Sequence, residues 1–211
     1  MPTGNEDING AVDYAANICN DETHGYVLGG TLNPGIDCSG LIYYALLHNG
    51  FDVPSSRWNT ASMLRYLRAA GFTEYVYPPS KYNDYSPIHG DIWVHSEGTE
   101  ENPDGHAIIY GENVLGYNSN QDPIKTNILT ARIEAVSNRG RPGTDDSANS
   151  YGVHDEVWVH YGTGLYIPSG KPNCTWHVFR WNGGPGPTPK DIPIWMMFRM
   201  KNDEDEKRRY L

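Results

Sequence analysis

The sequence has few basic residues, few cysteines and no long apolar stretch, and each shortage excludes a class of protein. Its 16 lysines and arginines are outnumbered by 26 acidic residues, and the net charge of −10 argues against nucleic acid, which needs a basic surface. No run of about 18 apolar residues occurs, so we expect no membrane insertion. The first residues, MPTGNED, are polar and acidic, so we expect no signal peptide.

Cysteine and histidine are also too sparse for two common kinds of site. Three cysteines, at positions 19, 38 and 174, are too few for a disulfide framework. A Cys19–Cys174 bond that leaves Cys38 free is an alternative, but the composition is typical of a protein made in the cytosol, where disulfides are rare. The eight histidines are scattered without zinc-ligand spacing, so we expect no metal and no cofactor.

Helical patterns come first and strand patterns later, which indicates an α+β fold. Apolar residues recur at helical spacing in residues 8–19 and again after Cys38, and a further helix is predicted to start at Asn59 and Thr60 and to end near Gly71. Short β-rich runs separated by turn residues follow at 91–95, 106–110, 114–118, 156–161 and 175–180. We therefore predict N-terminal helices packed on an antiparallel β-sheet.

Composition divides the chain into three parts. Residues 1–182 form the predicted catalytic domain, and within it the Gly-, Ser-, Asn- and Asp-rich residues 138–152 are expected to be a surface loop. Residues 183–190, GGPGPTPK, have the composition of a linker. Residues 191–211 carry an apolar patch followed by charges. We predict that they form an attachment tail that packs on a partner such as a virion protein, on a second copy, or on its own domain.

One cysteine stands at the start of a predicted helix. In the segment GIDCSGLIYYAL, residues 35–46, Cys38 precedes apolar residues at helical spacing, so we expect its sulfur at the tip of the helix. The unpaired N–H groups of a first helical turn stabilise an anion such as a thiolate. A buried structural cysteine is the alternative, but the polar and turn-rich residues on both sides argue against it.

A nucleophilic thiolate needs a base, and the base needs a group that orients it. His106 begins an apolar strand after an acidic turn, and the period of two would point it into a groove while Ala107 and Ile109 face the other way. Asn118 lies in the next strand-like run and Asn120 shares its face, so either amide oxygen would fix the His106 tautomer. The alternatives are a strand-end histidine in contact with solvent and an asparagine that only shapes a turn.

Four motifs appear in the order typical of the NlpC-type papain-like cysteine peptidases of bacterial cell walls. They are YVLGG at 26–30, DCSG at 37–40, GDI at 90–92 and GHAIIY at 105–110. The chain resembles this family over about residues 8–181, and the resemblance implies a papain-like fold. It extends to phage peptidoglycan hydrolases, whose counterparts here are YYAL at 43–46, WNT at 58–60 and WHVFR at 176–180.

The resemblance implies a role for seven residues. Cys38 would be the nucleophile, His106 the base, and the family's third polar residue falls at Asn118. Tyr26 would line the substrate groove, and the backbone N–H of residue 38 or 39 would help to hold an oxyanion. The catalytic residues implied are Cys38, His106 and Asn118, and the substrate-binding residues are Tyr26, Asp37, Ser39 and Asn120. Two alternatives are that Asp37 only shapes the turn and that Asn120, not Asn118, takes the third catalytic place.

The implied activity is hydrolysis of an amide bond in the peptidoglycan peptide stem through a thioester, without a metal. The enzyme would be an endopeptidase or an N-acetylmuramoyl-L-alanine amidase of phage origin. It would reach the cell wall from the host cytoplasm through a holin, or with the virion. Two alternatives are a phage tail component that carries this lysin domain and an inactive peptidoglycan-binding module.

Overall fold

The computed structural model describes residue 4 and residues 6–21, 25–32, 35–117, 125–136 and 156–183. Within them the α-helices are α1 (Ile8–Asn20), α2 (Cys38–His48) and α3 (Thr60–Ala69), and a 3₁₀ helix spans Pro79–Asp84. The strands are β1 (Gly25–Tyr26), β2 (Gly35–Ile36), β3 (Thr73–Tyr77), β4 (Ile92–Ser96), β5 (Gly105–Tyr117), β6 (Lys125–Val136), β7 (Glu156–Tyr161) and β8 (Trp176–Arg180). The predicted α+β fold is confirmed.

These strands form one sheet in the order β2-β1-β7-β6-β5-β4-β8-β3. Strands β1 and β2 are parallel, whereas the pairs formed by β3 to β8, and the pair of β1 with β7, are antiparallel. The long strands β5 and β6 lie at the centre. No helix in the described ranges is long and apolar enough to cross a membrane.

The two faces of the sheet are covered differently. The α-helices pack on one face, where Ala107 and Ile109 of β5 join a mainly aliphatic core. On the other face Ile108 and Tyr110 join a cluster rich in aromatic rings, which includes Trp93 and Trp176. This alternation is the period of two that the sequence predicts for the strand beginning at His106.

The same division rules out the disulfide considered from sequence. Cys19 packs in the helix-covered core, whereas Cys174 belongs to the aromatic cluster on the opposite face. No bond joins the two residues. The sheet lies between them, so the geometry of a disulfide is out of reach.

One strand prediction is wrong. Residues 106–110 and 114–118 are predicted as two strands with a turn between them, but β5 runs without a break from Gly105 to Tyr117. Asn113 has a left-handed φ of 56°, a conformation typical of turns, and this explains why the sequence suggests a turn here. The pairs Glu112–Thr130 and Val114–Ile128 nevertheless continue the ladder with β6 on both sides of Asn113. Strands β1, β2, β3 and β6 were not predicted. The predicted loop, most of the linker and the tail lie outside the described residues.

Candidate active site

The first turn of α2 is held by a carboxylate that has several protein partners. Asp37 is the N-cap of the helix, and its Oδ1 accepts hydrogen bonds from the Gly40 backbone N–H at 2.8 Å and from the Ser39 hydroxyl at 2.9 Å. Its Oδ2 accepts from the Gly29 N–H at 2.8 Å. Asp37 is buried and also pairs with Arg57. It therefore joins the glycine-rich turn to the helix that begins at Cys38.

Two residues that precede α3 support this helix start. The Arg57 guanidinium lies so close to Gly40 that a Cβ there would be 2.6 Å from Nε, so a side chain at the third residue of α2 would displace the guanidinium from its place beside Asp37. The Trp58 indole N–H donates to the Ser39 carbonyl oxygen at 2.8 Å. The DCSG motif is thus held by the contacts of Asp37 and by those of Arg57 and Trp58, and these contacts restrict the position of Cys38.

Cys38, His106 and Glu134 form one interacting set. The His106 ring lies close enough to the Cys38 side chain for the two to affect each other, and its Nε2 contacts Glu134 Oε2. Cys38 begins α2, His106 lies on β5, and Glu134 lies on the neighbouring strand β6. The side chains of His106 and Glu134 are 16% and 6% exposed, so water screens their interaction little. The arrangement is that of nucleophile, base and orienting carboxylate.

The electrostatics of this set favour a charged imidazole. Burial lowers the pKa of His106, but the charges of Cys38 and Glu134 and the contacts with both side chains outweigh it, so the pKa is raised above the ordinary 6.5. A protonated His106 stabilises a thiolate beside it and has a proton ready for a leaving group.

A small cleft of about 50 Å³ opens beside the sulfur, and it brings together four of the residues predicted from sequence. Gly105 and Asn59 also line it, and a Cβ on Gly105 would be 2.2 Å from the His95 carbonyl oxygen, so only glycine fits before His106. Asn59 is the N-cap of α3, as predicted, with a reciprocal hydrogen bond to Ser62. The predicted residues that share the cleft are Tyr26, Asp37, Cys38 and Ser39.

The residue predicted to orient His106 is not part of this description. Asn118 and its rival Asn120 both lie outside the described residues, so their roles stay predictions. Their neighbour Tyr117 ends β5, eleven residues after His106, which corresponds to roughly 36 Å at about 3.3 Å per residue. Glu134 is the described partner of the ring. Sequence reasoning missed it because β6 was not predicted, although Ala131, Ile133 and Ala135 alternate with polar residues there.

The Gly-Asp motif has a structural place. Asp91 is completely buried and accepts two hydrogen bonds from Arg180 at 2.8 and 2.7 Å and one from the Tyr85 hydroxyl at 2.8 Å. Tyr85 in turn accepts from the Trp93 indole N–H at 2.6 Å. This network joins β4 and β8, and none of its four residues lines the cleft.

A second set of possible metal ligands lies next to the site. Donor atoms of His95, Glu97 and Cys174 lie within 4.8 Å of one another, so they could hold a metal ion. The Lys171 ammonium contacts Glu97 at 2.9 Å, and its charge disfavours a cation at the same place. Burial and the Glu97 charge also raise the pKa of Cys174 to about 11, so its thiol stays protonated at neutral pH. That no metal is needed stays a prediction.

The model of the NlpC/P60 family matches residues 23–133, just over half of the chain. The chain belongs to the NlpC/P60 family. A search of curated proteins finds no match. NlpC/P60 members are generally cysteine peptidases that act on peptidoglycan, which supports a cell-wall hydrolase. The match includes Cys38 and His106 and ends one residue before Glu134.

Proposed function

We propose that this NlpC/P60 protein hydrolyses an amide bond in the peptide stem of peptidoglycan, with Cys38 as nucleophile and His106 as acid and base. The observation that supports this most strongly is the interaction of the His106 ring with a cysteine at the first position of a helix, together with the contact between His106 and Glu134. Nucleophilic cysteines in proteins are found beside such an imidazole or helix start.

In the first step the Cys38 thiolate attacks the amide carbonyl carbon, and the carbonyl oxygen becomes an oxyanion. The first hydrogen bond inside α2 runs from the Leu41 N–H to the Asp37 carbonyl, so the N–H groups of Cys38 and Ser39 precede the ladder and can donate to this oxyanion. His106 gives its proton to the leaving amine, the C–N bond breaks and a thioester remains. Water that loses a proton to His106 then attacks the thioester, and the C–S bond breaks.

Glu134 is the residue that we propose orients His106, in place of Asn118. A carboxylate on Nε2 fixes the tautomer that points the other ring nitrogen at Cys38, and it stabilises the imidazolium that forms in each step. The pair is mostly buried, so the interaction retains its strength. Asp37, by contrast, uses both carboxylate oxygens on protein donors, and we propose that it positions the helix rather than the substrate.

Mass spectrometry of muropeptides after digestion tests the proposal and names the bond. The expected result is one new amine and one new carboxyl per cleavage, formed by the wild-type protein and absent with Cys38→Ala. Lysis that EDTA removes and zinc restores, with Cys38→Ala still active, would replace the thiol mechanism by metal catalysis.

We also propose that the protein is a phage lysin, reaching the wall from the host cytoplasm or as part of the virion. The support is the YYAL, WNT and WHVFR motifs. In the structure Trp58 and Asn59 of WNT hold the starts of α2 and α3, so this motif has a direct connection to the candidate site. Blotting of purified particles distinguishes a virion component from a lysin released late in infection, and detection in uninfected cells alone would argue against both.

A further inference from the structure

One side of the catalytic cleft is formed by the loop between β4 and β5, residues 97–104. Pro103 of this β4–β5 loop lines the cleft, and so does Gly105, the residue that follows the loop. The Glu97 N–H donates to the Asp104 carbonyl oxygen at 2.8 Å, which closes the base of the loop. The position of the loop therefore decides where this side of the cleft lies.

The β4–β5 loop is strongly acidic, and its base brings two carboxylates together. Four of its eight residues are acidic, namely Glu97, Glu100, Glu101 and Asp104. Glu97 and Asp104 are the first and the last of the eight, and their carboxylates contact the same ammonium group. Like charges that face each other repel, so the base of the loop would tend to open without a cation between them.

Lys171 supplies that cation from a distant segment. Its Nζ lies 2.9 Å from Glu97 Oε2 and 2.7 Å from Asp104 Oδ1. It lies in the connection between β7 and β8, where its N–H donates to the Pro168 carbonyl at 3.0 Å and its carbonyl accepts from the Cys174 N–H at 3.1 Å. These bonds hold the backbone of Lys171, and the ammonium joins the two ends of the loop.

The far end of the loop and the catalytic base are held by other contacts. The Asn59 side-chain N–H donates to the Glu100 carbonyl oxygen at 2.8 Å, and Arg65 pairs with the Glu100 carboxylate at 2.6 Å. His106 is held by Glu134 and by the ladder between β4 and β5. Loss of the lysine contact is therefore expected to shift the base of the loop without displacing His106.

We propose that Lys171 is a positioning residue for substrate binding, whose ammonium keeps the base of the β4–β5 loop closed and so holds Pro103 at the cleft. This role rests on the proposed peptidoglycan hydrolase function and adds to it a residue outside the range that the family model matches. A shifted loop weakens binding of the substrate and of the transition state alike, so KM should rise while kcat stays nearly constant.

Steady-state kinetics on soluble muropeptides test this role with Lys171→Met, which keeps most of the side-chain length and removes the charge. We expect KM to rise roughly three- to tenfold, the range of two partly exposed ion pairs, with kcat within about twofold of the wild type. Lys171→Arg retains the charge and should keep KM near the wild-type value. Lys81→Met is the matched control, because Lys81 is exposed and has no carboxylate partner in the described part of the chain. It should leave KM unchanged.

A second substitution separates the charge of Lys171 from the packing of its side chain. Asp104→Asn in the Lys171→Met protein removes the repulsion at the base of the loop, so KM should return toward the wild-type value. If the side chain acted by packing alone, KM would stay raised in the double variant, and this result would overturn the proposal.

Asp104→Lys tests the same contact from the other side. Asp104 is 64% exposed, so the fold should tolerate the change, and repulsion from Lys171 should raise KM even if Lys171→Met does not fold. A wild-type KM in both Lys171→Met and Asp104→Lys would overturn the proposal, as would a loss confined to kcat. Neither result would affect the proposed function, which is judged from wild-type digestion. Absence of hydrolysis by the wild-type protein would remove both.

Discussion

Two neighbouring clusters in this protein contain the same three residue types and differ in chemistry. Cys38, His106 and Glu134 form one set. Cys174, His95 and Glu97 form the other. The two histidines are direct partners across β4 and β5, with ring centres 6.4 Å apart. The same three residue types therefore do not by themselves give the same chemistry, even in two clusters that lie next to each other.

The neighbours of each set explain the difference. His95 has Lys171 near it, and its ring makes an edge contact with the Trp176 ring, with the two ring centres 4.7 Å apart. Burial lowers the pKa of His95 although the contact with Glu97 acts in the opposite direction. His106 has a thiol at a helix start instead of an ammonium ion, and its pKa is raised. A buried imidazole takes the charge state that its closest charged groups favour.

The largest contrast is expected between the two cysteines. Cys38→Ala should lower hydrolysis by roughly 10⁴-fold or more, since the nucleophile is lost. Cys174→Ala should retain activity near the wild-type level, because Cys174 is protonated and does not line the cleft. Dye release from labelled cell walls measures both variants, with circular dichroism as the control for folding. Activity that survives in Cys38→Ala and disappears in Cys174→Ala would exchange the roles of the two clusters.

A smaller contrast is expected between the two carboxylates. Glu134→Gln keeps the shape but removes the charge that stabilises the imidazolium, so kcat should fall about ten- to a thousandfold, or about 1.4–4 kcal/mol of barrier. Glu97→Gln should change kcat little.

Asn118→Ala belongs in the same series, because it tests the prediction made from sequence. A large loss of kcat in Asn118→Ala, together with an unchanged kcat in Glu134→Gln, would show that the asparagine orients His106.

The smallest effect is a pH dependence of stability that has opposite signs for the two histidines. The pKa of His106 is raised by folding, so its stabilisation is complete below about 6.5 and is lost as pH rises through the higher folded value. The pKa of His95 is lowered, so its stabilisation is present above about 6.5 and is lost as pH falls through the lower folded value.

Urea unfolding at several pH values measures both effects. His106→Gln should flatten the alkaline side of the stability curve, and His95→Gln the acidic side. The contribution of His106 should also shrink in Cys38→Ala, because the Cys38 charge raises its pKa. If the free energy of unfolding depended on pH in the same way in His106→Gln and His95→Gln, at both acidic and alkaline pH, the two rings would share one environment and this account would be wrong.

Local sequence signals predicted the parts of the site that lie within one segment. Cys38 at the start of α2 and Asn59 as the cap of α3 follow from capping chemistry and helical spacing. His106 follows from the strand pattern that starts after Gly105. Each of these signals spans fewer than about a dozen residues, which is why one sequence suffices to recognise it.

The part that failed depends on pairing between distant segments. Glu134 reaches His106 because β6 lies beside β5, and the two residues are 28 positions apart. Gly111 and Asn113 inside β5 have the composition of a turn, and the ladder to β6 outweighs that local preference.

Residue-resolved alkylation tests the central claim most directly. The protein would be treated with less than one equivalent of iodoacetamide, digested and analysed by mass spectrometry, and the remaining wall hydrolysis would be measured on the same samples. We expect Cys38 to be labelled before Cys19 and Cys174, and we expect the activity to fall in proportion to labelled Cys38. Full activity in protein whose Cys38 is completely alkylated would contradict the account.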